Sequence, residues 1–182
     1  LMMIKNGKKI GILKAGPASK NMYEKLLFCS RGSLFTPTAS VFKKAKSSEI
    51  GGFRENSEFN TAEDLDFWLR LSKITEFHII DETLGEYNIV DQGASKKILY
   101  HCQSTEAVLK DHLISHLGPN PGCFNKLRIR IRYANLYRTV LHSLINQKAH
   151  RDVQRDFLFK MLKNYPFSPK NIVVAALWLL KR

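Results

Sequence analysis

The 182-residue sequence has little of what marks the specialised protein classes. Cysteine is scarce: Cys29, Cys102 and Cys123 stand far apart, odd in number and without a C-x-x-C pair, which excludes a disulfide framework. They read as reduced thiols of a cytosolic protein. Long apolar runs are missing too. The longest, Ile172 to Leu180, has nine residues, where a bilayer-spanning helix needs roughly 20. No G-x-G-x-x-G, Walker loop or G-x-S-x-G occurs, so the commonest nucleotide and nucleophile signatures are excluded. There are no internal repeats and no low-complexity tracts. The opening stretch LMMIKNGKKI has neither the apolar core nor the cleavage site of a signal peptide, and it reads as the middle of a longer chain.

Negative charge is the other shortage. Asp and Glu number 16 against 29 Lys and Arg, a net +13 that favours an anionic partner: nucleic acid, an anionic lipid surface or a phosphate-bearing small molecule. The excess is uneven. Basic and acidic residues number 10 and 2 over 1–50, 5 and 10 over 51–100, 7 and 2 over 101–150, and 7 and 2 over 151–182. A nucleic-acid binder is expected to carry one continuous basic face, so no nucleic acid is expected and the acidic stretch becomes the place to look for chemistry. Apolar residues at 44% and charged residues at 25% are ordinary for a globular chain of one domain or slightly more.

Residues 2–14 predict a hairpin around Asn6-Gly7, and 19–29 a helix capped by Ser19. A strand is expected between Ser33 and Phe42, starting after Pro37, with Ala39, Val41 and Phe42 buried. Residues 60–73 carry the best-defined helix signals: Thr61 as N-cap, Glu63 and Asp64 in the first turn, and Leu65, Trp68 and Leu69 as an apolar stripe. Strands are expected over 77–80 and 84–90. Past residue 100 four helices follow: from Ser104 to Gly118, over 125–147 with Leu127, Ile131, Ala134, Leu141 and Ile145 on one face, over 153–164, and from Ser168-Pro169 onward. The alternation in LRIRIRY leaves a strand open at the start of the second of these. An α/β part, 1–100, thus precedes a helical part, 101–182.

Glu63, Asp64 and Asp66 form the main acidic cluster. Its plain reading is capping and solvation; its functional one is a general base or a metal-proximal carboxylate beside a pocket. His112 and His116 share a helix face as a metal pair would, yet no Glu follows His112 and no third ligand is evident, so satisfied or surface histidines are the better reading. Lys43, Lys44, Lys46, Lys96 and Lys97 are surface lysines unless a loop returns them to a phosphate. Arg128, Arg130, Arg132, Arg138, Arg151, Arg155, Lys160 and Lys163 either form a solvated face or meet an anionic bilayer, with Trp178 and its apolar neighbours as a shallow anchor.

In order along the chain stand T-A-S-V-F-K-K, E-I-G-G-F-R-E, A-E-D-L-D-F-W-L-R-L and I-I-D-E-T-L-G-E-Y-N-I-V. As an ordered set over residues 38–95 they resemble the second half of the catalytic domain of family 2 glycosyltransferases. The resemblance implies an α/β chain with a partial GT-A fold followed by a helical extension. It places Asp64 on the catalytic base that deprotonates an acceptor hydroxyl in a single inverting displacement, with Glu63 in support. Gly51, Gly52 and Phe53 fall on the acceptor-lining loop, Trp68 and Arg70 on helix positions that brace the acceptor site, and Lys96 and Lys97 toward the donor diphosphate. Implied partners are a nucleotide-sugar donor and a saccharide or lipid-linked acceptor, at the inner face of the cytoplasmic membrane.

The sequence also departs from the family. Tyr87-Asn88-Ile89-Val90 lacks the histidine that often helps hold the metal, Asp91 being the nearest substitute, and Arg54 replaces the usual Asp after Gly-Gly-Phe. The nucleotide-binding strands and the Asp-x-Asp metal motif that precede this half in the family have no counterpart before residue 38. The divalent cation expected of the family, magnesium or manganese, therefore finds no ligands here. The expectation is a chain inactive in transfer on its own, with an open sheet edge that favours self-association. The alternative is a non-catalytic basic module for an anionic membrane or nucleic acid.

Overall fold

A computed structural model describes residues 1–13, 20–29, 35–88 and 97–180. Among these the architecture is mixed α/β, with a three-stranded sheet and seven helices that make it 60% helical. Asn6 and Gly7, at φ 50° and 72°, supply the two positive angles of a tight hairpin turn, so β1 (Met2–Lys5) and β2 (Lys8–Ile12) pair antiparallel with Lys5 opposite Lys8. β3 (Glu86–Asn88) joins the other side of β1 in parallel, Met2 opposite Glu86, for the order β2-β1-β3. None of these strand residues is fully buried, so the sheet does not form the core.

Two expected strands are not strands. Pro37–Ala39 is a single 3₁₀ turn, and the chain continues without a ladder partner into α2 (Lys44–Glu49). Val41 is wholly exposed, while the Phe42 ring lies 5.0 Å from that of Phe67 and 5.9 Å from that of Trp68. Its aromatic payload goes to a helix rather than a sheet. Over 77–80 the burial does alternate, Phe77 and Ile79 inward and His78 and Ile80 outward, but no neighbouring strand is present among the described residues. Alternation reports a half-buried segment; a ladder needs a second one. The Ser19 cap, the start of the 33–42 segment, Ile89, Val90, Asp91 and Lys96 lie outside the described residues.

The helices follow their signals more closely. α1 (Met22–Leu27) is capped by Asn21, whose Oδ1 accepts from the Glu24 amide at 3.0 Å. α3 (Glu63–Leu71) has Ala62, not Thr61, at its N-cap. α4 (Ile98–Leu117) begins before Ser104, which is buried and donates its hydroxyl to the Asn60 carbonyl, and it ends as expected at Gly118, φ 73°. α5 (Cys123–Asn146) is helical throughout LRIRIRY; it buries Ala134, Tyr137, Val140, Leu141 and Leu144, while Leu127 stays exposed. α6 (Arg151–Asn164) and α7 (Pro169–Leu180) complete the chain, the last opening at the expected proline.

Two apolar clusters hold these helices together. The first joins Leu26 and Leu27 of α1, Phe67, Trp68, Leu69 and Leu71 of α3, and Val108, Leu109 and Leu113 of α4, and so draws on both sides of residue 100. The second joins Cys102 of α4, the α5 residues just named from Tyr137 onward, and Phe157, Leu158 and Met161 of α6, with α7 laid against it. Each fully buried Leu or Phe contributes about 1.5–3 kcal/mol of apolar transfer. α3, central to the first cluster, is therefore a rigid base for the acids at its N-terminus.

Candidate active site

Asp64 and Glu63 stand in the first turn of α3. Glu63 is exposed; Asp64 is partly buried, and its Oδ1 accepts from the Leu65 amide at 2.7 Å. Burial pushes the Asp64 carboxyl above its ordinary range, the nearby Glu63 charge adding to the rise while the Leu65 amide and His101 oppose it. Desolvation is the largest of these effects. His101, one turn into α4, places Nδ1 3.2 Å from Thr61 Oγ1, and Thr61 itself is held at φ 78°. A β-branched residue at positive φ is strained, and the hydroxyl that would have capped α3 is turned toward α4.

Behind this edge lies an ionic cluster centred on Asp66, which is fully buried. Its carboxylate accepts from Arg54 Nε at 3.0 Å to both oxygens, from Arg54 Nη2, from Arg70 Nε at 2.8 Å and from His112 Nε2 at 3.0 Å. Arg54 also reaches Asp111 at 2.8 Å, and the Tyr23 hydroxyl lies 3.2 Å from His112 Nδ1. Burial alone would raise the Asp66 carboxyl, but the hydrogen bonds from His112, Arg54 and Arg70 win and hold it well below the usual carboxylate range. The Tyr23 phenol is pushed up to about 12, by burial first and by Asp111 second. Reading Asp66 as solvated charge is thus corrected, and the departure at Arg54 has its explanation as the partner of a buried acid.

The same cluster sets the glycine loop. Gly51 and Gly52, at φ 74° and 68°, stop α2 by returning their amides to Ser48 and Ser47 carbonyls. Arg70 then ties the loop to α3, donating to Ile50 O at 2.6 Å and to Gly52 O at 2.7 Å. Phe53 stacks on Phe67, 4.3 Å between centroids and 13° between planes, and stays half exposed. Trp68 is 2% exposed among Phe35, Phe42, Phe67 and Phe77, so it braces the helix from within and cannot touch a ligand. Lys97 is exposed, one turn before His101.

Asp66, Asp111 and His112 offer ligand atoms within 4.8 Å of one another. They do not fit a resident divalent cation: both Asp66 oxygens are already taken by two guanidinium groups and an imidazole, and Arg54 supplies the positive charge between the acids. His112 and His116 part ways, the latter meeting Glu24 at 3.2 Å. No protein-family model, curated protein or solved structure matches this chain.

Proposed function

We propose that residues 50–70 form the acceptor side of an inverting nucleotide-sugar glycosyltransferase of the GT-A class, with Asp64 as general base. The observation that carries this reading is the bond from Arg70 to the Gly51-Gly52 loop. The two motifs that the resemblance pairs are locked into one unit that carries a half-exposed aromatic ring at Phe53 and a partly buried carboxylate at Asp64. An aromatic ring packs against the apolar face of a sugar, and backbone at Gly51 and Gly52 can approach it closely.

In the reaction Asp64 takes the proton from the acceptor hydroxyl as that oxygen bonds to the anomeric carbon, and the nucleoside diphosphate leaves from the opposite face with the bonding pair. A carboxylate raised by burial is the stronger base. Lys97, with Lys96, would meet the diphosphate as point charges. Magnesium or manganese, when bound in the family, neutralises that leaving group; the Asp66 cluster, already filled by Arg54, Arg70 and His112, does not take that part.

The test is an amide-resolved NMR titration with methyl glycosides of glucose, galactose, mannose and N-acetylglucosamine. Saturable shifts confined to Gly51, Gly52, Phe53 and the start of α3 are expected, lost in Phe53→Ala and kept in Asp64→Asn. A panel that leaves these amides unmoved would refute the acceptor-side reading. Any turnover of a nucleotide sugar must fall roughly a hundredfold or more in Asp64→Asn, the usual worth of a general base.

A further inference from the structure

α7 is apolar on both its inner and its outer face, unlike an ordinary surface helix. Asn171, Val174, Ala175 and Trp178 face the protein, whereas Ile172, Val173, Ala176, Leu177, Leu179 and Leu180 face outward, with Leu180 at 80% exposure and Phe167, just before the helix, at 81%. The rotation is pinned at both ends. Asn171 donates to Tyr165 O at 2.7 Å and accepts from Arg138 Nη1 at 3.0 Å. Arg151 lies 3.7 Å over the Trp178 ring and donates to Trp178 O at 2.9 Å. Trp178, the anchor expected from sequence, is therefore committed inward, and the free apolar surface is the opposite face.

The chain that carries this face is basic, and Asp152, the acid next in sequence to Arg151 on its inner side, is paired with Arg155 at 2.9 Å. From Phe157 to Arg182 the sequence has five Lys or Arg and no Asp or Glu. Lys163 and Lys170 are exposed, and exposed Arg130 of α5 donates to Lys163 O at 2.9 Å, which adds a third cation at the α7 N-terminal side. A helix of 12 residues is about 18 Å long, too short to cross the roughly 30 Å of a bilayer core. Among the described residues no helix is long and apolar enough to span a membrane. It can lie in the interfacial plane.

We propose that the outward face of α7 docks on an anionic lipid surface, with Ile172, Val173, Leu177, Leu180 and Phe167 in the acyl boundary and Arg130, Lys163 and Lys170 at the headgroups. A second copy of the chain is the poorer occupant. Packing two α7 faces together would bring two sets of these cations near one another with no acid from the same stretch to offset them, whereas acidic lipid attracts both. The inference is independent of the chemistry at Asp64.

Vesicle flotation tests it, with the full chain on phosphatidylcholine alone and with about 30% phosphatidylserine, across a salt series. Binding to the anionic vesicles is expected, falling roughly tenfold or more on passing to high salt. Leu177→Asp with Leu180→Asp should cut the partition coefficient at least about tenfold with unchanged circular dichroism. Lys163→Gln with Lys170→Gln, which leaves every apolar contact in place, should weaken binding and flatten the salt dependence. Absence of binding would overturn the proposal. So would equal binding to neutral vesicles, binding unchanged by either double variant, or a lipid-free dimer that Leu177→Asp dissociates.

Discussion

Replacing Asp66 by alanine removes the acceptor shared by two arginines and a histidine, and the structure sets the size of the effect. The carboxylate is wholly inaccessible, His112 is 3% exposed, Arg70 is 15% exposed and Arg54 is 38% exposed. Breaking a buried pair by removing one partner costs about 3–5 kcal/mol, because the other charge is left desolvated. Arg54 is discounted, since solvent screens it and Asp111 remains to receive it. Arg70 keeps its two loop carbonyls. The cost therefore falls mainly on His112 and the buried flank of Arg70, and about 3 kcal/mol is expected. That is a fifth to more than half of a typical domain's 5–15 kcal/mol.

Urea unfolding followed by far-ultraviolet circular dichroism reads it directly: at a slope of about 2 kcal/mol per molar, the midpoint should fall by roughly 1.5 M. The pH dependence is the sharper readout. An acid whose folded pKa is depressed contributes stability that is complete above its unfolded pKa, near 3.9, and is lost as the pH falls below it toward the folded value. Wild type should lose stability from about pH 4 downward, and Asp66→Asn should lose less over the same range. A midpoint shift under about 0.5 M, or identical acid limbs for the two proteins, would refute the claim that Asp66 is a buried ionised hub.

Asp64 predicts the opposite sign. Its folded pKa is raised, so ionisation costs stability once the pH rises through the unfolded value, and Asp64→Asn should melt higher than wild type at pH 7 while any transfer activity is lost. Gly51→Ala and Gly52→Ala meet no atom within 4 Å yet must hold positive φ. Each should cost about 1 kcal/mol, read as a melting temperature lower by roughly 2–4 °C. Thiol titration should find Cys123 fast and Cys102 silent until unfolding, since burial, with Glu106 adding to it, pushes the Cys102 thiol up to about 12 while Cys123 is exposed.

Much of the helical half was legible because its punctuation is local. Gly118 ends α4, Pro169 opens α7, and Asn6-Gly7 turns the hairpin, each through the backbone angle that its own residue permits. What escaped depends on partners far along the chain. Asp66 looks like one more acid in a helix start, although Ala62, Asp66 and Leu69 share a face and Arg70 stands four residues after Asp66. His112 likewise interrupts the apolar row of Val108, Leu109 and Leu113. A polar group on each of two core faces is the signal that they meet. Nothing local marks Thr61, which combines a positive φ with a hydroxyl contact to His101 on another helix. The burial alternates over 77–80, yet no ladder partner stands beside it among the described residues, because pairing is a property of two segments.

The parallel pairing of β1 with β3 has a kinetic consequence. Met2 and Glu86 are adjacent in the sheet, and bringing them together closes a loop of roughly 80 residues, an entropy cost that must be met before any ladder bond repays it. The hairpin and each single helix need no such closure; docking α1 on α4 needs one as long but buries Leu26, Leu27, Val108 and Leu109 in return, whereas the β3 residues stay exposed. β3 should therefore join after the helical core has condensed and part from it first, so that amide exchange at Met2, Tyr87 and Asn88 outpaces that of α3 and α5, with an opening free energy well below that of global unfolding.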